Sequence, residues 1–234
     1  MSLYGSYANA AVLKRYLERL GGDVSVHFIR PGEQADLAAA DFIFMGAGTE
    51  RSQKAALADF ARYGQAVRAA ADSGTAMLFA GTAMELLGQT LVDNAGQEYQ
   101  GIGLGQFTSV QGKQRFVGDV YGTTALCPEP VVGFMNKCAR ISGVETPLLS
   151  ACAMGFGNEA EGGPEGFCRG NVLASELTGP ILVKNPQLLK VVVKALYDRR
   201  GTQLPAEQPV DDYAAAGYAI TAEQLRLRSE KTAG

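Results

Sequence analysis

The chain has 234 residues, a net charge of −3, and 47% hydrophobic against 19% charged residues. That balance suits a soluble globular fold with a sizeable core, and the absence of a basic cluster argues against a nucleic-acid partner. No apolar run reaches the roughly 18 residues that span a bilayer, and MSLYGSYANA has no basic segment followed by an apolar one, so a cytoplasmic protein without a transmembrane segment is expected.

In chain order, residues 9–20 carry apolar side chains at 12, 13, 16, 17 and 20. That spacing predicts a helix, with Asn9 able to cap its start and Gly21-Gly22 ending it. VSVHFI at 24–29 reads as a β-branched strand. It holds the single histidine, His27, whose plain role is packing or surface, since a base needs a placed nucleophile. DFIFMGAG at 41–48 predicts a second strand ending in a glycine turn. Such a turn is either simply tight or a source of backbone amides for an oxyanion hole. A long helix over 52–72 follows, with Gly74 past its end.

AMLFAGTAMELLG at 76–88 then predicts a short strand, a hinge at Gly81 and a helix start. Strand–turn–helix is where α/β enzymes display a nucleophile over the carboxyl edge of a sheet. Here the hinge is Gly81, between Ala80 and Thr82, so the site has the form of a nucleophile elbow without the nucleophile. The alternation so far implies a parallel sheet covered by helices. From Gly101 onward, LGQFTSV, QRFVGDVYG and VVGFM predict short alternating strands, continued at 149–156 and 171–177. Asn185-Pro186 starts a helix running to about Arg199, and a last helix is expected near 221–230. One domain over 1–200 and a C-terminal extension over 201–234 are expected.

The four cysteines, Cys127, Cys138, Cys152 and Cys168, form no CxxC pair. With one histidine in the chain, neither a metal site nor any other cofactor is expected, and the thiols read as free.

Six stretches in order resemble a known family. They are LYGSYANAAVLKRYLERL (3–20), ADFIFMGAGTERSQKAAL (40–57), LFAGTAMELLG (78–88), GDVYGTTALCPEPVVGFMNKCARI (118–141), MGFGNEAEGG (154–163) and NVLASELTGPILVKNPQLL (171–189). Together they resemble the class I glutamine amidotransferases of the cobyric acid synthase type, and among them the glutaminase subunits of lipid II isoglutaminyl synthases. The resemblance implies a doubly wound α/β fold with a mainly parallel sheet flanked by helices. It implies an elbow cysteine that attacks the side-chain amide of glutamine and a histidine base. Ammonia would pass to a Mur-ligase-like partner, in a heterodimer that amidates the D-glutamate of the peptidoglycan stem.

A gapless match to Gly88 puts the family cysteine at Gly81, and TGPILVKN puts the family histidine at Thr178. Both positions are replaced. Glycine has no nucleophile, and threonine is no base at neutral pH. Thr82, Cys127 and Cys138 are the candidates for a relocated nucleophile, though neither cysteine lies in an elbow. Gly46 and Gly48 match the oxyanion loop, and Thr82 adjoins it. Arg140 matches the arginine that contacts the substrate carboxylate, with a surface ion pair as the plainer alternative. Glu85 replaces the elbow glutamine, and solvation at a helix start would account for it.

The family carries a strand before the stretch like LYGSYANAA. Only Met1 and Ser2 precede Leu3 here, which points to a late start, because a sheet lacking that strand would expose unpaired edges. Three functions follow from the resemblance. The first is a glutaminase-inactive subunit with a Mur-ligase-like partner. The second is an active amidotransferase with relocated residues. The third is a small-molecule sensor using the retained pocket, with glutamine as a candidate ligand.

Overall fold

A computed structural model describes residues 1–159 and 162–233. Helix α1 (Ala8–Arg19) forms as the apolar spacing predicts. Asn9 does not cap it, however. It lies buried inside the first turn, donating to Ser6 O at 3.0 Å and accepting from Leu182 N at 2.8 Å. Strand β1 (Phe42–Met45) is followed by α2 (Glu50–Phe60) and α3 (Gly64–Asp72), joined by a 3₁₀ turn over Ala61–Tyr63. Strand β2 (Ala76–Ala80) pairs with β1 in parallel.

The strand expected at 24–29 is not present: these residues have no strand structure, and Val26, Phe28 and Ile29 are exposed. A β-branched sequence becomes a strand only where its backbone groups meet a ladder partner. Here β1 is the edge of its sheet, and 24–29 lies outside the ladder.

The first sheet has the order β1-β2-β9-β8, with β9 (Val172–Ser175) parallel to β2 and β8 (Phe167–Arg169) antiparallel at the far edge. Strand β2 shows why helices cover both faces. Met77 and Phe79 pack with Leu57, Phe60, Val67 and Ala70 of α2 and α3. Ala76 and Leu78 pack with Leu13 and Tyr16 of α1 and with Val192 and Leu196 of α5 (Pro186–Arg200). Every residue of β2 is buried, as a central parallel strand requires. This is the doubly wound α/β arrangement.

The second half forms another sheet around a long antiparallel pair, β5 (Thr108–Thr123) and β6 (Val131–Ser142). The sequence predicts several short strands there. Instead β5 runs 16 residues and absorbs its irregularity in a register shift between Gln111 and Phe116. Strands β3 (Thr90–Val92), β4 (Glu98–Gln100), β7 (Ala151–Met154) and β10 (Leu177–Thr178) complete this sheet. A short α4 (Ile181–Lys184) leads into α5. Between them Asn185 is fully buried and exchanges two 2.8 Å bonds with the backbone of Val132, holding α5 to the edge of β6.

The last helix is longer than its sequence signal. Helix α6 spans Asp212–Ala233 and turns Ala214, Tyr218, Ala222, Leu225 and Ser229 toward the protein. No helix among the described residues is long and apolar enough to cross a membrane.

Candidate active site

Two loops at the carboxyl ends of β1 and β2 build the site. After β1 the chain turns through Gly46, Ala47 and Gly48, and Thr49 caps α2 by accepting from Ser52 N at 3.2 Å. The turn is held from the N-terminal side. Ser6 Oγ accepts from Ala47 N at 3.1 Å, and Leu3 N donates to Ala47 O at 2.9 Å. The approach is close enough to exclude side chains: a Cβ on Gly46 would lie 2.5 Å from Ser6 Oγ, and one on Gly48 would lie 2.6 Å from Ser52 Oγ.

After β2 the chain reverses at Gly81, whose φ of +60° lies in the left-handed region that favours glycine. Gly81 opens a fully buried 3₁₀ turn, Gly81–Leu87. This is the geometry expected of a nucleophile elbow. A Cβ on Gly81 would lie 3.6 Å from Thr178 Cγ2, so positions 81 and 178 face each other. The Thr178 hydroxyl is already engaged, donating to Phe134 O at 3.1 Å.

The elbow and the glycine turn are tied together. Gly48 N donates to Thr82 Oγ1 at 3.0 Å, and the same hydroxyl donates back to Gly48 O at 3.1 Å. Gln53, fully buried on α2, donates to Thr82 O at 2.8 Å. Behind it, Gln111 on β5 donates to both Gln53 Oε1 (2.7 Å) and Glu85 Oε2 (2.9 Å).

A helix-start charge is normally solvated, but Glu85 is 1% exposed. The 3₁₀ turn runs inward between the two sheets instead of out along a helix, so the carboxyl has no path to water. Burial pushes Glu85 up to about 7, against the opposing pull of the Gln111 and Gln53 hydrogen bonds. It belongs to an interior polar layer with Lys137, Glu165 and Glu176, all 2% exposed or less. Lys137 Nζ donates to Gly157 O and Asn158 O at 2.7 and 2.9 Å. Burial likewise raises Glu165 to about 7, and burial together with the neighbouring Glu85 raises Glu176 well above the ordinary carboxylate range. The neutral form of these carboxyls is favoured because an isolated buried charge is costly.

In front of the elbow lies a cleft of about 270 Å³ lined by Ala47, Gly48, Glu50, Thr82, Arg115, Asn136 and Thr178, with Leu3, Tyr4 and Thr49 at its rim. Arg115 organises its outer wall. It donates to Glu50 Oε1 (2.8 Å), Asn136 Oδ1 (2.7 Å) and Asn136 O (3.2 Å), and Asn136 Nδ2 donates to Tyr4 OH at 2.9 Å. Partial burial pulls Glu50 upward, but the bonds from Arg115, its own amide and Cys138 outweigh it and leave the carboxyl below its ordinary value. Tyr4 holds a φ of +57°, the only non-glycine positive φ among the described residues. Strain of that kind is common at ligand sites.

Of the residues singled out in the sequence, Gly48, Gly81, Thr82 and Thr178 converge on the cleft or its elbow, with Gly46 at the start of the turn. Arg140 does not line the cleft. Its guanidinium stacks over Phe116 at 4.8 Å and donates to Glu159 O. The thiols are poor nucleophiles. Burial raises Cys127, and burial together with Glu50 pushes Cys138 up to about 12. The exposed His27 lies on the unpaired 24–29 segment. Sequence reasoning missed Arg115, Glu50, Asn136 and Tyr4. Glu50 could have been found from its place two residues past the glycine turn, but Arg115 and Asn136 reach the cleft only through the pairing of β5 and β6.

Among the described residues, no cluster of His, Cys, Asp or Glu is placed to hold a metal ion. Residues 1–186 match the CobB/CobQ-like glutamine amidotransferase domain. The chain is 30% identical over 216 residues to the lipid II isoglutaminyl synthase (glutamine-hydrolyzing) subunit GatD of Streptococcus pneumoniae, covering 90% of this chain and 83% of the relative. It is 26% identical over 207 residues to the GatD subunit of Staphylococcus aureus, covering 86% and 82%. A solved structure described as a glutamine amidotransferase superposes with a TM-score of 0.52 at 16% identity, over 84% of this chain and 96% of that one, a likeness of fold.

Proposed function

The chain belongs to the CobB/CobQ-like glutamine amidotransferase family, and from that premise we propose that it is a glutaminase-like subunit without glutaminase activity of its own. In this reading it acts with a Mur-ligase-like partner that amidates the D-glutamate of lipid II. The partner and the substrate come from the likeness to the two GatD subunits.

One observation carries the loss of activity. Positions 81 and 178 face each other across the elbow, and they hold a glycine and a threonine. Covalent hydrolysis of an amide needs a nucleophile activated by an adjacent base, and neither residue supplies one. The raised thiols of Cys127 and Cys138 support the same conclusion, since a thiol needs its thiolate to attack. What remains is a shaped cleft with a guanidinium, a carboxylate and an amide on one wall, consistent with a retained binding role.

The test is ammonia release from glutamine by the purified chain, alone and with a co-expressed Mur-ligase-like partner. The expected result is co-purification of the two, no release above background, and amidation by the pair when free ammonium is supplied. Robust turnover by the unsubstituted chain would sink the reading. Labelling of Cys127 or Cys138 by a chloroketone analogue of glutamine would show a relocated nucleophile.

A further inference from the structure

A missing thiol and a missing imidazole would leave an elbow with room in it. This elbow has none. The hydroxyl of Thr82 takes the Gly48 amide at 3.0 Å and returns a bond to Gly48 O at 3.1 Å. A hydroxyl has one proton to donate and lone pairs to accept with, so this exchange uses its donor and ties up the amide. Gly48 and Thr82 both line the cleft. The tied amide is therefore a backbone donor at the cleft that cannot meet an oxyanion formed there. The bond from Gln53 to Thr82 O fixes Thr82 from the opposite side.

The second obstruction is a methyl group. A Cβ built on Gly81 would lie 2.7 Å from Ala47 Cβ, closer than two carbon atoms can approach. Ala47 Cα, at 3.3 Å, would be a tight but adjustable neighbour, and Thr178 Cγ2, at 3.6 Å, an ordinary one. The methyl of Ala47 is thus the nearest steric barrier to a side chain at position 81, added to the left-handed φ that already favours glycine there. Ala47 cannot easily move away, because its N and O are held by Ser6 and Leu3.

We infer that Ala47 and Thr82 lock the elbow shut, the methyl taking the space of a nucleophile at position 81 and the hydroxyl taking the oxyanion donor. The inference rests on the glutaminase-like reading of the site. It makes four substitutions, not two, the distance between this chain and a working amide hydrolase.

Three variants test it: Gly81→Cys with Thr178→His; the same pair with Ala47→Gly and Thr82→Gly; and that quadruple variant with Thr82→Ser in place of Thr82→Gly. Ammonia release from glutamine should be at least about 100-fold faster in the quadruple glycine variant than in the double variant, since one oxyanion donor is worth on the order of 10²–10³ in rate. The serine variant removes the Ala47 methyl but keeps the hydroxyl, so it should exceed the double variant and stay roughly 100-fold below the quadruple glycine variant. Equal rates in the double and quadruple glycine variants, whether both active or both silent, would overturn the lock.

Should these chains fail to fold, the single variants Thr82→Gly and Thr82→Ser decide the matter by hydrogen exchange at the Gly48 amide. Exchange should be roughly 10-fold faster in the glycine variant, because its amide has lost its partner; equal protection would overturn the inference. Glutamine hydrolysis by the unsubstituted chain would count against the proposed function, while the Gly48 exchange would still report on the lock.

Discussion

At the scale of single residues, the most consequential side chain behind the elbow is Glu85. A carboxyl that is 1% exposed and held at about 7 keeps its proton where an unfolded carboxyl, at its ordinary 4.5, gives its proton up. The folded state therefore binds more protons between those two values, and stability falls as pH rises from about 4.5 to about 7. Below 4.5 the carboxyl is neutral in both states and has no effect. Glu85→Gln removes the titration while keeping an oxygen to accept from Gln111. It should stabilise the protein at pH 8 by up to about 3 kcal/mol, with melting roughly 5–10 °C higher and the gain vanishing near pH 4.5. Thermal melts of both proteins across pH 4.5–8 check this. A variant that melts lower than the parent at pH 8 would mean that the charged form of Glu85 is satisfied in the fold.

At the scale of elements, α6 shows how far an extension can become part of a domain. We take residues 1–200 as the amidotransferase-like domain and 201–234 as an extension laid back on it. The contacts of α6 fall on β5, β6 and β7 and on helices α4 and α5. Tyr218 OH donates to Pro130 O at 2.7 Å, Arg228 pairs with Asp119 at 2.7 Å, and Leu225 is 4% exposed. The exposed ion pair contributes little, so the burial of Leu225 and the stem of Tyr218 holds the helix down. A chain ending at residue 210 should stay folded on the first sheet but melt several degrees lower. It should also bind the dye ANS through the newly bared face of β5 and β6. An unchanged melting curve would make α6 a passenger.

At the scale of the whole molecule, the two sheets divide the work. The parallel sheet supplies the elbow and the glycine turn, and the antiparallel sheet brings Arg115, Asn136 and Thr178 to face them. The site is a seam between the two, which is why its residues are scattered through the chain. The same view explains the unpaired 24–29 segment, which lies beyond the edge strand β1. Native-state hydrogen exchange should therefore find the amides of 24–29 almost unprotected, while those of Met77–Phe79, paired on both sides, exchange only on global unfolding. Protection of 24–29 comparable to β2 would mean that this segment does pair.

The sequence alone determined α1, β1, β2 and the helical stretch between β1 and β2, because those follow from local spacing and turn residues. Its spacing predicts that stretch as one helix over 52–72, which the structure divides into α2 and α3. It also determined the absence of a thiol at Gly81 and an imidazole at Thr178, since no fold can supply atoms a side chain lacks. The tertiary structure decided the rest. VSVHFI has the composition of a strand, but a strand exists only with a partner. Glu85 has the composition of a solvated charge, but its turn runs inward. Ala47 and Thr82 look like ordinary small residues, and only the approach of two loops 34 positions apart sets one against Gly81 and the other on the Gly48 amide. Contacts of that kind depend on distances between elements, which no local pattern encodes.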